Sequence, residues 1–132
     1  MLPTLLALQN TLAEGKTSSV DLTEAALARI ADPQGEGSRA FTKTYRAQAL
    51  ASAQASDVLR AAGLSRSPID GLPISVKDLF DVAGDITQAG SVVLKDSAPA
   101  ARNALIVQRL SDAGAVIVGR TNMTEFAFSG LG

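Results

Sequence analysis

The 132 residues carry 12 Lys and Arg against 13 Asp and Glu, and this near-balance, with no cluster of basic residues, argues against a nucleic-acid-binding surface. No cysteine and no histidine occur, which excludes disulfides, thiolate or imidazole metal sites, a cysteine nucleophile and a Ser-His-Asp triad. An apolar content of 46% suits one domain with a core, built mainly of Leu, Ala, Val and Ile because there are four Phe, one Tyr and no Trp.

Met1-Leu2-Pro3-Thr4 lacks the basic and long apolar regions of a signal peptide, and no apolar run approaches the roughly 20 residues that span a bilayer. The expectation is a soluble, cytoplasmic protein without membrane partners. Leu5, Leu8 and Leu12 recur at helical spacing before Gly15. Ser18 and Asp21 form a helix-start pattern, and Leu22, Ala26 and Ile30, with Leu27 beside them, predict the buried stripe of a second helix ending near Asp32-Pro33. Residues 34–39 read as a polar loop and residues 40–44 as a strand. An alanine-rich helix follows from about Arg46 to Ala62, with Gly63 beyond its end. Its alanines fit close packing and plain helix propensity equally well.

Residues 68–81, Pro-Ile-Asp-Gly-Leu-Pro-Ile-Ser-Val-Lys-Asp-Leu-Phe-Asp, are the stretch around which the chain is organised. Ile74 to Lys77 reads as a strand after a Gly-Leu-Pro turn, with Ile74 and Val76 on one face and Ser75 and Lys77 on the other. Lys77 is then either a solvated residue at a strand end or, if that second face is enclosed, a lysine able to lose its proton and act as a general base. Residues 81–91, with Gly84 and Gly90, read as a loop or hairpin. Asn103 is placed to cap a helix with Ile106, Val107, Leu110 and Ala113 on one face, and Ala115 to Val118 is a short buried strand. Asn122 and Glu125 have capping-box spacing. Alternating strands and helices predict an α/β fold with N-terminal helices and a mixed, partly parallel sheet.

No phosphate-binding glycine motif occurs, and Asp78 with Asp81 lack a third ligand, so neither a nucleotide nor a metal is expected. The run from Asp112 to Gly130, together with Gly71-Leu72-Pro73-Ile74-Ser75-Val76-Lys77-Asp78 and Ala89-Gly90-Ser91, resembles the N-terminal part of the amidase signature family. Thr17-Ser18, Ala40-Phe41 and the helix carrying Asp57 resemble that family's opening region, so the likeness covers nearly the whole chain.

The resemblance implies hydrolysis of amide carbon–nitrogen bonds by a Ser-cisSer-Lys mechanism with Lys77 as the base and no cofactor. It also implies that Ala127, Phe128 and Ser129 line the acyl side of the substrate pocket, although Phe126 and Phe128 fit ordinary core packing as well. The family's two serines lie in a Gly-Gly-Ser-Ser-Gly-type segment that is absent from these 132 residues. Ser75 does not replace them, because a neighbouring position on one strand face recreates neither the cis-serine relay nor its oxyanion hole. The chain is therefore expected to be an N-terminal, incomplete portion of the domain, inactive alone. Its expected partners are a small-molecule amide and the remainder of the domain or a second copy of the chain. Two other functions fit. One is the glutaminase-type subunit of a glutamyl-tRNA amidotransferase, which would add partner subunits and tRNA; the other is a non-catalytic α/β module.

Overall fold

In the computed structural model, which describes residues 3–128 and residue 130, helix α1 (Leu5–Ala13) begins at Thr4, whose hydroxyl accepts the Ala7 amide at 3.2 Å. Only Leu12 of its leucine stripe is buried. Helix α2 (Ser19–Ala31) opens with the expected capping box: the Ser18 hydroxyl accepts the Asp21 amide at 2.9 Å and the Asp21 carboxylate accepts the Ser18 amide. A second carboxylate reinforces this start. Asp57 accepts the Ser19 and Val20 amides at 2.7 and 3.1 Å, placing negative charge at the positive end of the helix.

The buried face of α2 is Ser19, Thr23 and Leu27, one residue round the helix from the expected Leu22–Ala26–Ile30 stripe. The rotation follows from polar contacts that a hydrophobic pattern does not encode, since the Ser19 hydroxyl donates to the Gly71 carbonyl at 2.7 Å in the interior. Where a loop was expected after α2, the Glu36 carbonyl closes a helical turn, α3 (Gly37–Ala40).

Strand β1 (Phe41–Thr44) leads into helix α4 (Arg46–Ala61), and Gly63 beyond it has φ +72°. Ala49 and Ala53 are fully buried while Ala47, Ala51 and Ala55 are exposed, so the alanines serve close packing on one face and helix propensity on the rest. Strand β2 (Pro73–Lys77), helix α5 (Leu105–Asp112) and strand β3 (Val116–Thr121) complete the order. The sheet runs β1-β3-β2, with β3 parallel to β2 and antiparallel to β1. The chain thus has the mixed, partly parallel sheet expected of it, and α2 and α4 cover one face through Leu27, Ala49, Ala53, Val116 and Val118.

Of the two forms expected for residues 81–91, the loop is the one that forms, and a single 3-10 turn (Val92–Leu94) follows. Two local expectations are corrected. Asn103 does not cap α5, because its Oδ1 accepts the Ala83 amide at 2.7 Å and its amide group donates to Gln108. Of the expected apolar face of α5, only Val107 is fully buried on the helix, and Ile106 is 46% exposed.

The start of β2 is fixed by a fully buried carboxylate. Asp70 accepts the Ser56 hydroxyl at 2.6 Å, the Arg66 backbone amide at 2.8 Å and the Arg66 guanidinium at 2.7 Å, while its carbonyl accepts Arg60 at 2.6 Å. Burial pushes this carboxyl up, but the hydrogen bonds from Arg66 and Ser56 outweigh it and hold it below its ordinary value. Next to it, Gly71 has φ +82°, and a Cβ there would lie 2.9 Å from the Ser19 side chain, so only glycine fits this turn without displacement. Asp70→Ala is expected to lower stability by about 3 kcal/mol by leaving Arg66 and Ser56 without their acceptor, measured as a shift in the denaturation midpoint at unchanged slope.

Candidate active site at the carboxyl ends of β2 and β3

Parallel strands end on the same side of a sheet, and ligands of open α/β sheets gather beyond those ends. Here the paired ends are Lys77 of β2 and Thr121 of β3. The register passes from Ile74↔Ile117 to Ser75↔Gly119, so β3 carries one residue more than β2 at that point. Beyond this bulge Val76 pairs with Arg120, and both are buried; Lys77 pairs with Thr121 on the opposite face.

The residue after Lys77 turns back into the interior. Asp78 is 3% exposed and Arg120 1%, and Arg120 Nε donates to Asp78 Oδ1 at 2.9 Å. Arg120 Nη2 donates to the Phe80 carbonyl at 2.8 Å and the Thr87 hydroxyl at 3.1 Å. A second carboxylate lies beside it: Asp85 accepts Lys43 Nζ at 2.6 Å and the Tyr45 hydroxyl at 2.5 Å, and its Oδ2 is 3.7 Å from Arg120 Nη1. Burial pushes the Asp85 carboxyl up, but Lys43, Tyr45 and the Ile86 amide together hold it below its ordinary value. Burial, and then the Asp85 carboxylate, push the Tyr45 hydroxyl up. For Arg120, burial favours the neutral form, yet Tyr45 and Asp78 outweigh it and keep the guanidinium charged. Asp78 and Asp81 do not act as a pair, since Asp81 accepts the Thr87 hydroxyl.

Two loops meet in front of this cluster. Asp78 accepts the Ala89 amide on its carbonyl, and the Ala89 carbonyl accepts the Phe126 amide at 2.8 Å. The expected capping box of Asn122 and Glu125 does not form: Asn122 accepts the adjacent Met123 amide, and Glu125 accepts the Ser91 hydroxyl at 2.6 Å. Ser91 is 2% exposed, so this bond ties the two loops together in a shielded place. Ala89, Phe126 and Ala127 all have φ between +51° and +57°, and left-handed non-glycine residues concentrate at functional sites because the surroundings must hold them there.

The sequence-derived site residues fall as follows. Lys77 and Ser75 are exposed, so the enclosure that desolvation of the lysine requires is not formed by the described residues. Ala127 is exposed and Phe128 is 95% exposed, while Ser129 lies outside the described residues. Neither Phe128 nor Phe126, which is 53% exposed, packs into the core. The bond from the Phe126 amide to Ala89 nevertheless brings this segment against the loop that leaves Lys77. A groove of about 310 Å³, bordered by Lys43, Tyr45, Arg66, Asp85 and Ile117, lies on the Arg120 side and includes neither Lys77 nor residues 126–128. The roles of Arg120 and of the Ser91–Glu125 bond are not visible in the sequence, although all three residues stand inside the motif runs.

A sequence profile described as Amidase matches residues 21–131. The chain belongs to the amidase family. It is 46% identical over 117 residues to the 1-carboxybiuret hydrolase subunit AtzE of Pseudomonas sp. (strain ADP), a match covering 89% of this chain and 25% of that protein. It is 44% identical over 124 residues to a glutamyl-tRNA(Gln) amidotransferase subunit of Chloroflexus aurantiacus, covering 94% of this chain and 25% of the relative. Its fold matches the native peptide amidase of Stenotrophomonas maltophilia with a TM-score of 0.81 at 38% identity, over 92% of this chain and 25% of that one. The chain thus spans about a quarter of the length of these amidases. Among the described residues, no helix is long and apolar enough to cross a membrane.

Two outcomes follow for this end of the sheet. A carboxyl whose folded pKa is depressed contributes stability that is fully present above its unfolded value and is lost as pH falls through the folded value. Thermal melts below about pH 4 should therefore show an acid-dependent loss that Asp85→Asn makes shallower, with a lower melting temperature at neutral pH. Gly90, at φ +69° with a Cβ position 2.6 Å from the Met123 carbonyl, should not tolerate alanine; Gly90→Ala is expected to separate the two loops, read as faster hydrogen exchange at the Phe126 amide.

Proposed function

We propose that residues 1–132 form the lysine-bearing portion of an amidase signature domain that hydrolyses amide carbon–nitrogen bonds, and that the protein works in the cytoplasm on a small-molecule amide. The observation that carries this reading is the position of Lys77 at the carboxyl end of β2, parallel to β3, in a chain matching the amidase family over residues 21–131. Lys77, as the free amine, takes a proton from a bridging serine, which in turn takes the proton of the nucleophilic serine. The serine oxygen bonds to the amide carbonyl carbon, the carbon–nitrogen bond breaks, and the nitrogen leaves with the returned proton as ammonia or an amine. Water then hydrolyses the ester and regenerates the serine. Both serines come from residues other than these 132, and the remainder of the domain encloses the exposed face of Lys77. Ala127, Phe128 and Ser129 contact the acyl portion of the substrate.

The test uses the complete protein with p-nitroacetanilide, benzamide and glutamine as probes. Lys77→Ala should lower kcat for the best probe by at least about a thousandfold; near-normal turnover in that variant overturns the assignment. The 132 residues alone should release no ammonia or p-nitroaniline.

The 44% identity to a glutamyl-tRNA(Gln) amidotransferase subunit favours one second reading, a glutaminase that passes ammonia to a partner. It expects selective ammonia release from glutamine in the presence of partner subunits, and failure to hydrolyse glutamine under those conditions counts against it.

A further inference from the structure

We infer that Arg120, acting through Asp78, is a positioning residue for Lys77: the buried ion pair fixes the end of β2 and the loop leaving it, and so sets where the lysine stands relative to residues 126–128. The inference rests on the reading of Lys77 as the base.

Four observations carry it. The bulge in β3 turns Arg120 into the interior next to Val76, so that it meets Asp78 on the face opposite Lys77. The strand end is therefore gripped from behind, immediately next to the lysine, while the lysine face stays open. Secondly, the grip reaches beyond the pair, since one guanidinium holds Asp78, the Phe80 carbonyl and the Thr87 hydroxyl through Nε and Nη2. Thirdly, Asp78 is bonded at every polar group it has. Its amide donates to the Thr121 carbonyl at 3.0 Å and its carbonyl accepts the Ala89 amide at 2.9 Å. Its carboxylate accepts the Gln88 and Gly90 amides at 3.4 and 3.3 Å. Fourthly, Ala89 passes the constraint on by accepting the Phe126 amide, and the Ser91–Glu125 bond closes the same contact from the other side.

A buried ion pair adds little stability over an apolar pair of the same volume, but the planar fork of arginine fixes direction as a flexible ammonium cannot. Its contribution here is to geometry. Displacing a proton-transferring group by about 1 Å costs on the order of a hundredfold in rate, so a loosened Lys77 should show in the chemical step and hardly in binding.

The experiment uses the complete protein and whichever of p-nitroacetanilide, benzamide or glutamine it turns over fastest. Single-turnover measurements with enzyme in excess separate the acylation rate constant from the amplitude, which counts folded sites. Asp78→Asn and Arg120→Lys should each lower the rate constant by about tenfold to a hundredfold with KM within about threefold. If either variant does not fold, Thr87→Val, which removes one of the Arg120 contacts, should lower it by a smaller factor of about three. An unchanged rate constant with reduced amplitude means a structural role alone and overturns the inference. A raised KM at unchanged rate constant also overturns it, because the pair then shapes binding. If Lys77→Ala keeps the wild-type rate constant, the amide hydrolase reading itself has failed, which the same series distinguishes from failure of the positioning role.

Discussion

The contact between Arg120 and Asp78 decides how the carboxyl end of the sheet is built. A guanidinium 1% exposed to solvent must have its charge met inside the protein, and the structure supplies Asp78 at 2.9 Å and Asp85 at 3.7 Å. Meeting that charge dictates the rest of the neighbourhood. Residues 78–91 wrap round the arginine, Thr87 and the Phe80 carbonyl accept hydrogen bonds from its Nη2, and Lys43 and Tyr45 reach over from the β1 side to complete the coordination of Asp85. The path of this loop is irregular because its backbone and side-chain groups are occupied by an arginine and an aspartate, not by a neighbouring strand.

Strand β2 is thereby held by a buried carboxylate at each end. Asp70 ties its start to α4 and the Arg66 turn, and the neighbouring Gly71 ties it to α2 through Ser19. Asp78 ties its end to β3 and the loops. Between them only five residues remain, Pro73 to Lys77, which leaves the strand little freedom to slide in register. A lysine at the end of such a strand has its backbone fixed from both sides while its side chain stays on the open face. This is the arrangement that a general base needs if the groups it serves come from elsewhere in the domain.

Much of this was legible in the chain. The capping box at Ser18 and Asp21, the end of α4 at Gly63, the β2 strand with Lys77 on the face opposite Val76, and the mixed sheet all follow from local rules of capping, turn chemistry and alternation. The motif runs led to the amidase family, to which the chain belongs. Illegible were the places where a polar group took a partner other than the one its local spacing indicates. Asn103 and Asn122 have the spacing of caps, yet Asn103 holds Ala83 and Asn122 holds the next amide, while Glu125 reaches Ser91 across 34 positions. The face of α2 rotated for the same reason, because Ser19 found the Gly71 carbonyl in the interior.

The sequence by itself determined the elements other than α3, their order, the family and the place of the lysine at the end of β2, because these depend on interactions within a few residues or on runs of residues read as a unit. Only the tertiary structure decided that Arg120 faces inward, that it meets Asp78 behind Lys77, and that the loops after β2 and β3 are joined at Ala89–Phe126 and Ser91–Glu125. Those outcomes hinge on one extra residue in β3, which reverses the alternation of the strand past Ile117, and on the requirement that a buried charge find its counter-charge wherever the fold places one.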